Sequence, residues 1–265
     1  LTDSVTWAEV RDRAELIGRK LVAMGFEAGD RIALIAETSA NFVAFFVGCQ
    51  YASVLPVPLP LPTSFGGKDG YVSQLQMQMK SCDANGLMAP AFMSEIVEEA
   101  TADITLRFKG SYEDYMAAKG KGELRLPKTD DLAYLQYSSG STRFPHGVSV
   151  THRSLLSNTH GMAYHGVGIG ENDRCVSWLP FYHDMGLVGT LLTTMTCQVS
   201  VDFIPTEEFA RRPLSWLRVI SRNKALSLIA RPSALISARA VLRCAPVRLK
   251  ISICRRFALQ GVVRR

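Results

Sequence analysis

Between Thr6 and Val57 the chain switches back and forth between a helical and a strand period, and that alternation restricts the folds open to it. Thr6-x-x-Glu9 is a capping box, in which two backbone donors at a helix start are satisfied reciprocally. Val10, Ala14, Ile17, Leu21 and Met24 follow at steps of four and three on one face, and Gly25 supplies the stop. Asp30-Arg31 leads into a strand over Ile32–Ala36. Thr38 or Ser39 starts a second helix that runs to about Tyr51, and Val54–Val57 reads as the next strand. Helix, strand, helix, strand in this order predicts an α/β domain with mainly parallel sheets flanked by helices.

Further along, Pro56 to Gly70 reads as a Pro- and Gly-rich loop, Tyr71–Ser81 as a helix and Asn85–Met93 as a strand. Residues 103–131 are charged and irregular and are expected at the surface. Asn41 to Pro62 is apolar enough to raise the question of a membrane span. Asn41, Gln50 and Ser53 interrupt it, and four prolines fall between Pro56 and Pro62, so a helix followed by a buried strand explains it better. No internal repeat is present. The body is expected to be one continuous domain or two intimately packed subdomains.

The stretch that carries chemistry begins at Leu132. The apolar run Leu132–Tyr137 reads as a short buried strand, which breaks into Ser138-Ser139-Gly140-Ser141-Thr142, then Arg143-Phe144-Pro145-His146-Gly147. Thr151 then caps a helix. Such a loop offers backbone N–H groups and four hydroxyls to a polyphosphate, with a glycine that lets the backbone approach closely. A Walker A loop is excluded because G-x-x-x-x-G-K-[ST] is absent. Taken alone, the same composition also makes an ordinary surface turn.

A second segment tips the balance: Trp178-Leu179-Pro180-Phe181-Tyr182-His183-Asp184-Met185-Gly186-Leu187. Together the two segments resemble the adenylate-forming enzymes, the superfamily of acyl-CoA synthetases, nonribosomal-peptide adenylation domains and luciferases. The spellings L-Q-Y-S-S-G-S-T and W-L-P-F-Y-H-D-M-G-L are those of its fatty acyl-AMP ligases. Gly29-Asp30-Arg31-Ile32-Ala33-Leu34-Ile35 and Tyr51-Ala52-Ser53-Val54-Leu55-Pro56-Val57-Pro58-Leu59-Pro60 look like the same family. The resemblance runs from about Thr6 to about Ala225. It implies part of the large N-terminal domain of such an enzyme.

The resemblance implies ATP and Mg²⁺ as cofactors, a fatty acid as substrate and the phosphopantetheine arm of an acyl carrier protein as acceptor. It also implies that Ser138, Ser139, Gly140, Ser141 and Thr142 hold the phosphates. Arg143 stands where the family has glycine and His146 where it has lysine, so charge on the phosphates falls to a residue that is mostly neutral or to an arginine that must point inward. His183 takes the place of the family histidine near the acyl carboxylate, able to donate to developing charge. Trp178, Tyr182, Met185 and Gly186 are the implied acyl-site residues, with Phe181 and Leu187 as further candidates. Residues as apolar as these also serve as ordinary core. Asp184 reads as a turn or helix start rather than a base. His152, His160 and His165 lack acidic companions at ligand spacing, and no metal site is expected among them. An acyl-CoA synthetase and a non-catalytic acyl- or nucleotide-binding module are the alternatives.

Charge is distributed unevenly. Residues 226–265 hold nine Lys or Arg and no Asp or Glu, which leaves 21 basic and 24 acidic side chains in the first 225. An even basic excess would suggest nucleic acid as a partner; an excess confined to one tail over a slightly acidic body does not. The tail's composition predicts an aberrant segment, the product of a frameshift near Ala225, after a partial AMP-binding domain over 1–225. The family's Y-G-x-[TA]-E motif and C-terminal lysine domain are absent from the sequence, so the chain reads as a fragment, inactive by itself. Leu1 is not an initiator methionine, and the first helix is charged and amphipathic, without the apolar core of a secretory leader. The six cysteines show no C-x-x-C spacing, which fits free buried thiols and a cytoplasmic location.

Overall fold

The computed structural model describes residues 4–62, 67–137, 147–223 and 225. Helix α1 (Trp7–Ala23) starts on Thr6, whose hydroxyl accepts from the Glu9 amide while the Glu9 carboxylate accepts from the Thr6 amide. Strand β1 (Arg31–Ile35) follows, then α2 (Ala40–Tyr51) capped by Ser39, and β2 (Leu55–Leu59). Helix α3 (Lys68–Ser81), β3 (Gly86–Met88), a 3₁₀ turn (Ala91–Met93), α4 (Ser94–Ala100), β4 (Phe108–Gly110) and α5 (Tyr112–Ala117) complete the first region. Its strands form one parallel sheet in the order β2-β1-β3-β4.

Side chains alternate across this sheet as a doubly covered strand requires. Ile32 and Leu34 face α1 and α2, in a core with Phe42, Phe45 and Phe46, whereas Ala33 and Ile35 face α3 and α4, with Leu75, Met79 and Val97. Helices α1 and α2 cross so closely that a Cβ on Gly48 would lie 2.7 Å from Ile17 Cβ and 3.0 Å from the Ala14 carbonyl.

Four readings of the sequence need correction here. The loop assigned to Pro56–Gly70 is strand as far as Leu59. Leu55 N–H donates to Asp30 and Leu59 C=O accepts from Ala36, so the odd residues face β1 and Pro56 and Pro58 point their missing donors away from it, to the side that needs no ladder bond. Helix α3 begins at Lys68 rather than Tyr71. The strand expected over Asn85–Met93 stops at Met88, because Pro90 cannot continue the ladder and a 3₁₀ turn follows. The irregular stretch 103–131 holds β4 and α5, the latter started by a capping box in which Asp114 answers Ser111.

The second region opens with β5 (Leu132–Tyr137) and β6 (Gly147–Thr151), an antiparallel pair, and continues into α6 (His152–His160), capped by Thr151 as expected. A wider π-helical stretch, Gly161–Val167, extends α6. Strand β7 (Arg174–Ser177) pairs in parallel with β8 (Ser200–Phe203). Between them, α7 (Asp184–Gly186), a π-helical stretch (Leu187–Leu192) and α8 (Thr193–Thr196) run on continuously, and α9 (Thr206–Arg211) and α10 (Leu214–Asn223) close the region. No described helix is long and apolar enough to cross a membrane.

The regions are joined, not tethered. β5 packs beside β2, with Ala133 and Tyr134 in one core layer and Leu135 and Tyr137 against the other. Gln50 on α2 donates to the Ala133 carbonyl at 2.7 Å, and the Trp7 indole donates to Val199 at 3.1 Å. Phe42 stacks on Phe181, with centroids 5.4 Å apart.

Candidate functional site

Two segments meet where β5 ends. Tyr137 pairs with Gly147 across the β5–β6 ladder, so the chain leaves and re-enters the sheet at one point. The intervening residues, among them the predicted phosphate contacts Ser138, Ser139, Gly140, Ser141, Thr142, Arg143 and His146, lie outside the described residues. The base of this connection is anchored. The Tyr137 hydroxyl donates to the Gln78 carbonyl (2.8 Å) and accepts from Ser81 (2.6 Å), and burial pushes its pKa up to about 12.

One residue earlier in β5, the buried Gln136 side chain donates to the Tyr182 carbonyl at 3.3 Å. This bond seats the segment 178–187 against the strand that leads into residues 138–146. The segment itself is a tight turn. His183 N–H donates to Pro180, and Gly186 and Leu187 N–H both donate to the His183 carbonyl. Phe181 is buried between Phe42 and Phe203. Gly186 sits against the Pro180 carbonyl with no room for a Cβ, so its conservative replacement is blocked by packing alone.

His183 caps α7 and is three-quarters buried, and its Nδ1 lies 2.5 Å from Asp184 Oδ1. Met185 N–H approaches both Asp184 Oδ1 (2.7 Å) and His183 Nδ1 (3.3 Å). Nδ1 cannot donate to Asp184 and accept from Met185 at once; the two shorter contacts converge on Asp184 Oδ1, which accepts from Nδ1–H and from Met185. In the neutral ring this leaves Nε2 as the second functional atom. Asp184 therefore does more than begin a helix, and its role went unread in the sequence, as did that of Gln136. A glutamine inside the otherwise apolar run Leu132–Tyr137 was the available signal.

The remaining predicted residues separate. Tyr182 is half-buried, and burial raises its phenol; Met185 is half-buried beside it. Trp178 instead lies flat on Phe209 (4.0 Å, 5° between planes), which meets Trp216 edge-on, in a core with Val176 and Ile220. Leu187 is core as well. The widened helix behind Gly186 frees carbonyls that threonines recover: Thr190 donates to Gly186, Thr193 to Val188 and Thr194 to Thr190, each at 2.7 Å.

Other groups stay apart from this locus. His152 is half-buried and its pKa is lowered by burial, opposed by Asp131. His160 and His165 are exposed, with rings 5.9 Å apart. Among the described residues no group of three or more His, Cys, Asp or Glu is arranged to hold a metal. Cys49, Cys82, Cys175 and Cys197 are free thiols; burial pushes Cys82 up to about 11 and Cys175 to about 12, which makes them inert rather than nucleophilic.

The family model described as AMP-binding enzyme matches residues 2–251. The chain belongs to the AMP-binding enzyme family. It is 43% identical over 225 residues to a Caulobacter vibrioides protein named "Putative acyl-CoA synthetase", covering 85% of this chain and 39% of that one. It is 31% identical to the long-chain-fatty-acid–AMP ligase FadD32 of Mycobacterium marinum, over 83% of this chain and 34% of that one. A solved structure from a study of fatty acyl-adenylate ligases of E. coli and L. pneumophila superposes with a TM-score of 0.84 at 42% identity, covering 88% of this chain and 42% of the other. The α/β fold with its parallel sheet flanked by helices is thus that of the N-terminal domain of adenylate-forming enzymes. The chain spans about two fifths of the length of the first of these curated relatives and one third of the second.

Proposed function

We propose that this chain supplies the N-terminal part of an ATP-dependent fatty acyl-AMP ligase, which activates a fatty acid as its adenylate for transfer to an acyl carrier protein. The bond from Gln136 to Tyr182 is the observation that carries the reading, because it joins the strand feeding the hydroxyl-rich connection to the segment bearing His183. Hydroxyls, backbone amides and an imidazole are the donor set a polyphosphate and a carboxylate require, and that chemistry needs positioning and charge stabilisation more than covalent help. The imidazolium form of His183, held through Nδ1–H by Asp184, donates from Nε2 toward the oxygen on which charge develops. Ser138 to Thr142, with Arg143 and His146, hold the phosphates of ATP. Tyr182, Met185 and Gly186 border the acyl carboxylate, and Trp178 supports them from the neighbouring core. Mg²⁺ would neutralise phosphate charge during the reaction, and no described cluster of residues is assigned to it.

The test is a chimera in which residues 1–225 replace the matching segment of the Caulobacter relative. Fatty-acid-dependent ATP–pyrophosphate exchange is the expected result, and His183→Ala should lower it by about a hundredfold. A folded chimera without exchange, or with exchange indifferent to His183, contradicts the proposal. The 265-residue chain by itself is expected to show no exchange.

The relative's name favours a second reading, an acyl-CoA synthetase. Coenzyme A and a holo acyl carrier protein offered separately to the chimera distinguish the two. For the domain plan, we infer a partial adenylation domain over 1–225 and a frame-shifted segment over 226–265, on the strength of the latter's basic, acid-free composition. The family match extends to residue 251, which weighs against that inference. Resequencing the gene from codon 215 onward decides it.

A further inference from the structure

The pair β7–β8 is open along β7: among the described residues no strand lies on its outer side. Ser177 C=O accepts from Ile204 N–H, on the β8 side. Cys175 and Ser177 therefore turn their backbone groups to β8, and Arg174 and Val176 turn theirs to the open edge. Val176 is only 2% exposed, and a buried residue with its amide at an unpaired edge calls for a partner.

The core above this edge, built on Val176, Phe209, Trp216 and Ile220, has a second deficit. The indole Nε1 of Trp178, the indole Nε1 of Trp216 and the Ser215 hydroxyl are buried without a hydrogen-bond partner. Each forfeits a bond that it had in water, and three such groups around one core point to an acceptor not yet accounted for. The chain leaves the described residues at this same place. Ala225 N–H donates to the Ile220 carbonyl, the bond that closes a helix end, and Ala225 packs in the same core.

Crossover handedness says where the chain goes next. Between β7 and β8 it passes over the face of Cys175, Val201 and Phe203, where Leu187, Leu191 and Leu192 also pack. From β8 it passes over the opposite face, where α10 lies on β7 and Asn223 donates to Asp202. Crossovers between parallel strands are right-handed in nearly all cases. Two of them on opposite faces move in opposite directions, so the second carries the chain back past β7 to its open edge. The next residues, Leu226-Ser227-Leu228-Ile229-Ala230, are an apolar run of strand length, ended by Arg231-Pro232.

We infer that residues 226–230 dock on the open edge of β7 as a third strand, parallel to it. Side chains alternate along a strand, so Ser227 shares the face of Ala225, and its hydroxyl is the acceptor that the indoles lack. Leu226 and Leu228 turn to the apolar face of Cys175. The carboxyl end of the added strand then lies beside Trp178, at the head of the segment that carries His183. This keeps residues 226–230 with the domain, as the family match to residue 251 does.

The test is NMR on the isotope-labelled 265-residue chain. Nuclear Overhauser contacts are expected between the backbone of Val176 and that of residues 226–230. One of the variants Ser227→Pro and Leu228→Pro, whichever removes an amide aimed at β7, should speed exchange of the Val176 amide about tenfold or more. The Cys175 amide, which faces β8, reports in each variant that the pair itself is intact. Ser227→Ala should keep the cross-strand contacts and move the indole N–H signal of Trp178 or Trp216. A chain without contacts between Val176 and residues 226–230, or Val176 exchange that neither proline changes, overturns the added strand. Indole signals that stay in place in Ser227→Ala overturn the assignment of its hydroxyl as their acceptor.

Discussion

The region built on β1–β4 and the region built on β5–β8 achieve a dry core by different means. In the first, four parallel strands lie between two helical layers, with β1 alternating between them, and helices begin on side-chain caps at Thr6, Ser39 and Ser111. In the second, the strands come in separate pairs and two helical segments widen to π geometry. Polar side chains then do work that regular ladders do in the first: Gln136 on Tyr182, three threonines on helix carbonyls, Arg174 on Asp202. The irregular region is also the one that holds the candidate site. Regular packing fixes a scaffold, and irregular backbone places His183 and frees the carbonyls around it.

The contrast can be broken first at the contact between the regions. Phe42→Ala removes a buried ring that touches Phe46 and Phe181, and should cost about 4 kcal/mol in urea unfolding. If the regions form one cooperative unit, circular dichroism and tryptophan fluorescence shift together; two separated transitions would show that they are independent.

Glycines sharpen it next. Gly186→Ala drives a Cβ into the Pro180 backbone and should cost about 3 kcal/mol, whereas Gly48→Ala meets chiefly the Ile17 side chain and should cost about 2 kcal/mol. Denaturation curves for the two variants rank them; a tolerated Gly186→Ala would show that the turn has slack.

The polar network gives a smaller effect. Arg174 binds Asp202 through two bonds of 2.7 Å, and Asn223 donates to the same carboxylate, which together hold Asp202 below its ordinary pKa. A lowered folded-state pKa contributes stability above the unfolded value that disappears as pH falls through the folded one. Asp202→Asn should therefore cost about 1–2 kcal/mol near neutrality, and the cost should shrink under acid. A cost that stays constant from pH 7 to pH 3 would contradict the assignment. Smallest of all, Thr6→Ala should lose about 1 kcal/mol through its cap, read from the same curves.

The legible part of the sequence follows this division. The capping box at Thr6 and the apolar face from Val10 to Met24 are local and agree with the global fold, so they could be read directly. β2 was half hidden, because Pro56 and Pro58 look like loop residues until the strand is known to lie at an edge of its sheet. β4 and α5 escaped because each is short and sits in charged sequence, where period carries little signal; the Ser111–Asp114 box was the only local cue. In the second region the motifs were visible and their geometry was not. The π-helical stretches depend on what packs against them, and Asp184's grip on His183 depends on a turn closed by a carbonyl contact at Gly186. Trp178 shows the limit of motif reading, since its ring stacks on Phe209 in a separate core, and Phe181 and Leu187 are buried as core too.

The measurement closest to the central claim is an NMR titration of the chain, with its five histidines isotope-labelled, against MgATP. If the connection 138–146 and the His183 turn form one site, the imidazole signals of His146 and His183 move together and saturate together, while those of His160 and His165 stay in place. Motion of His146 without His183, or no motion of either, would contradict the account.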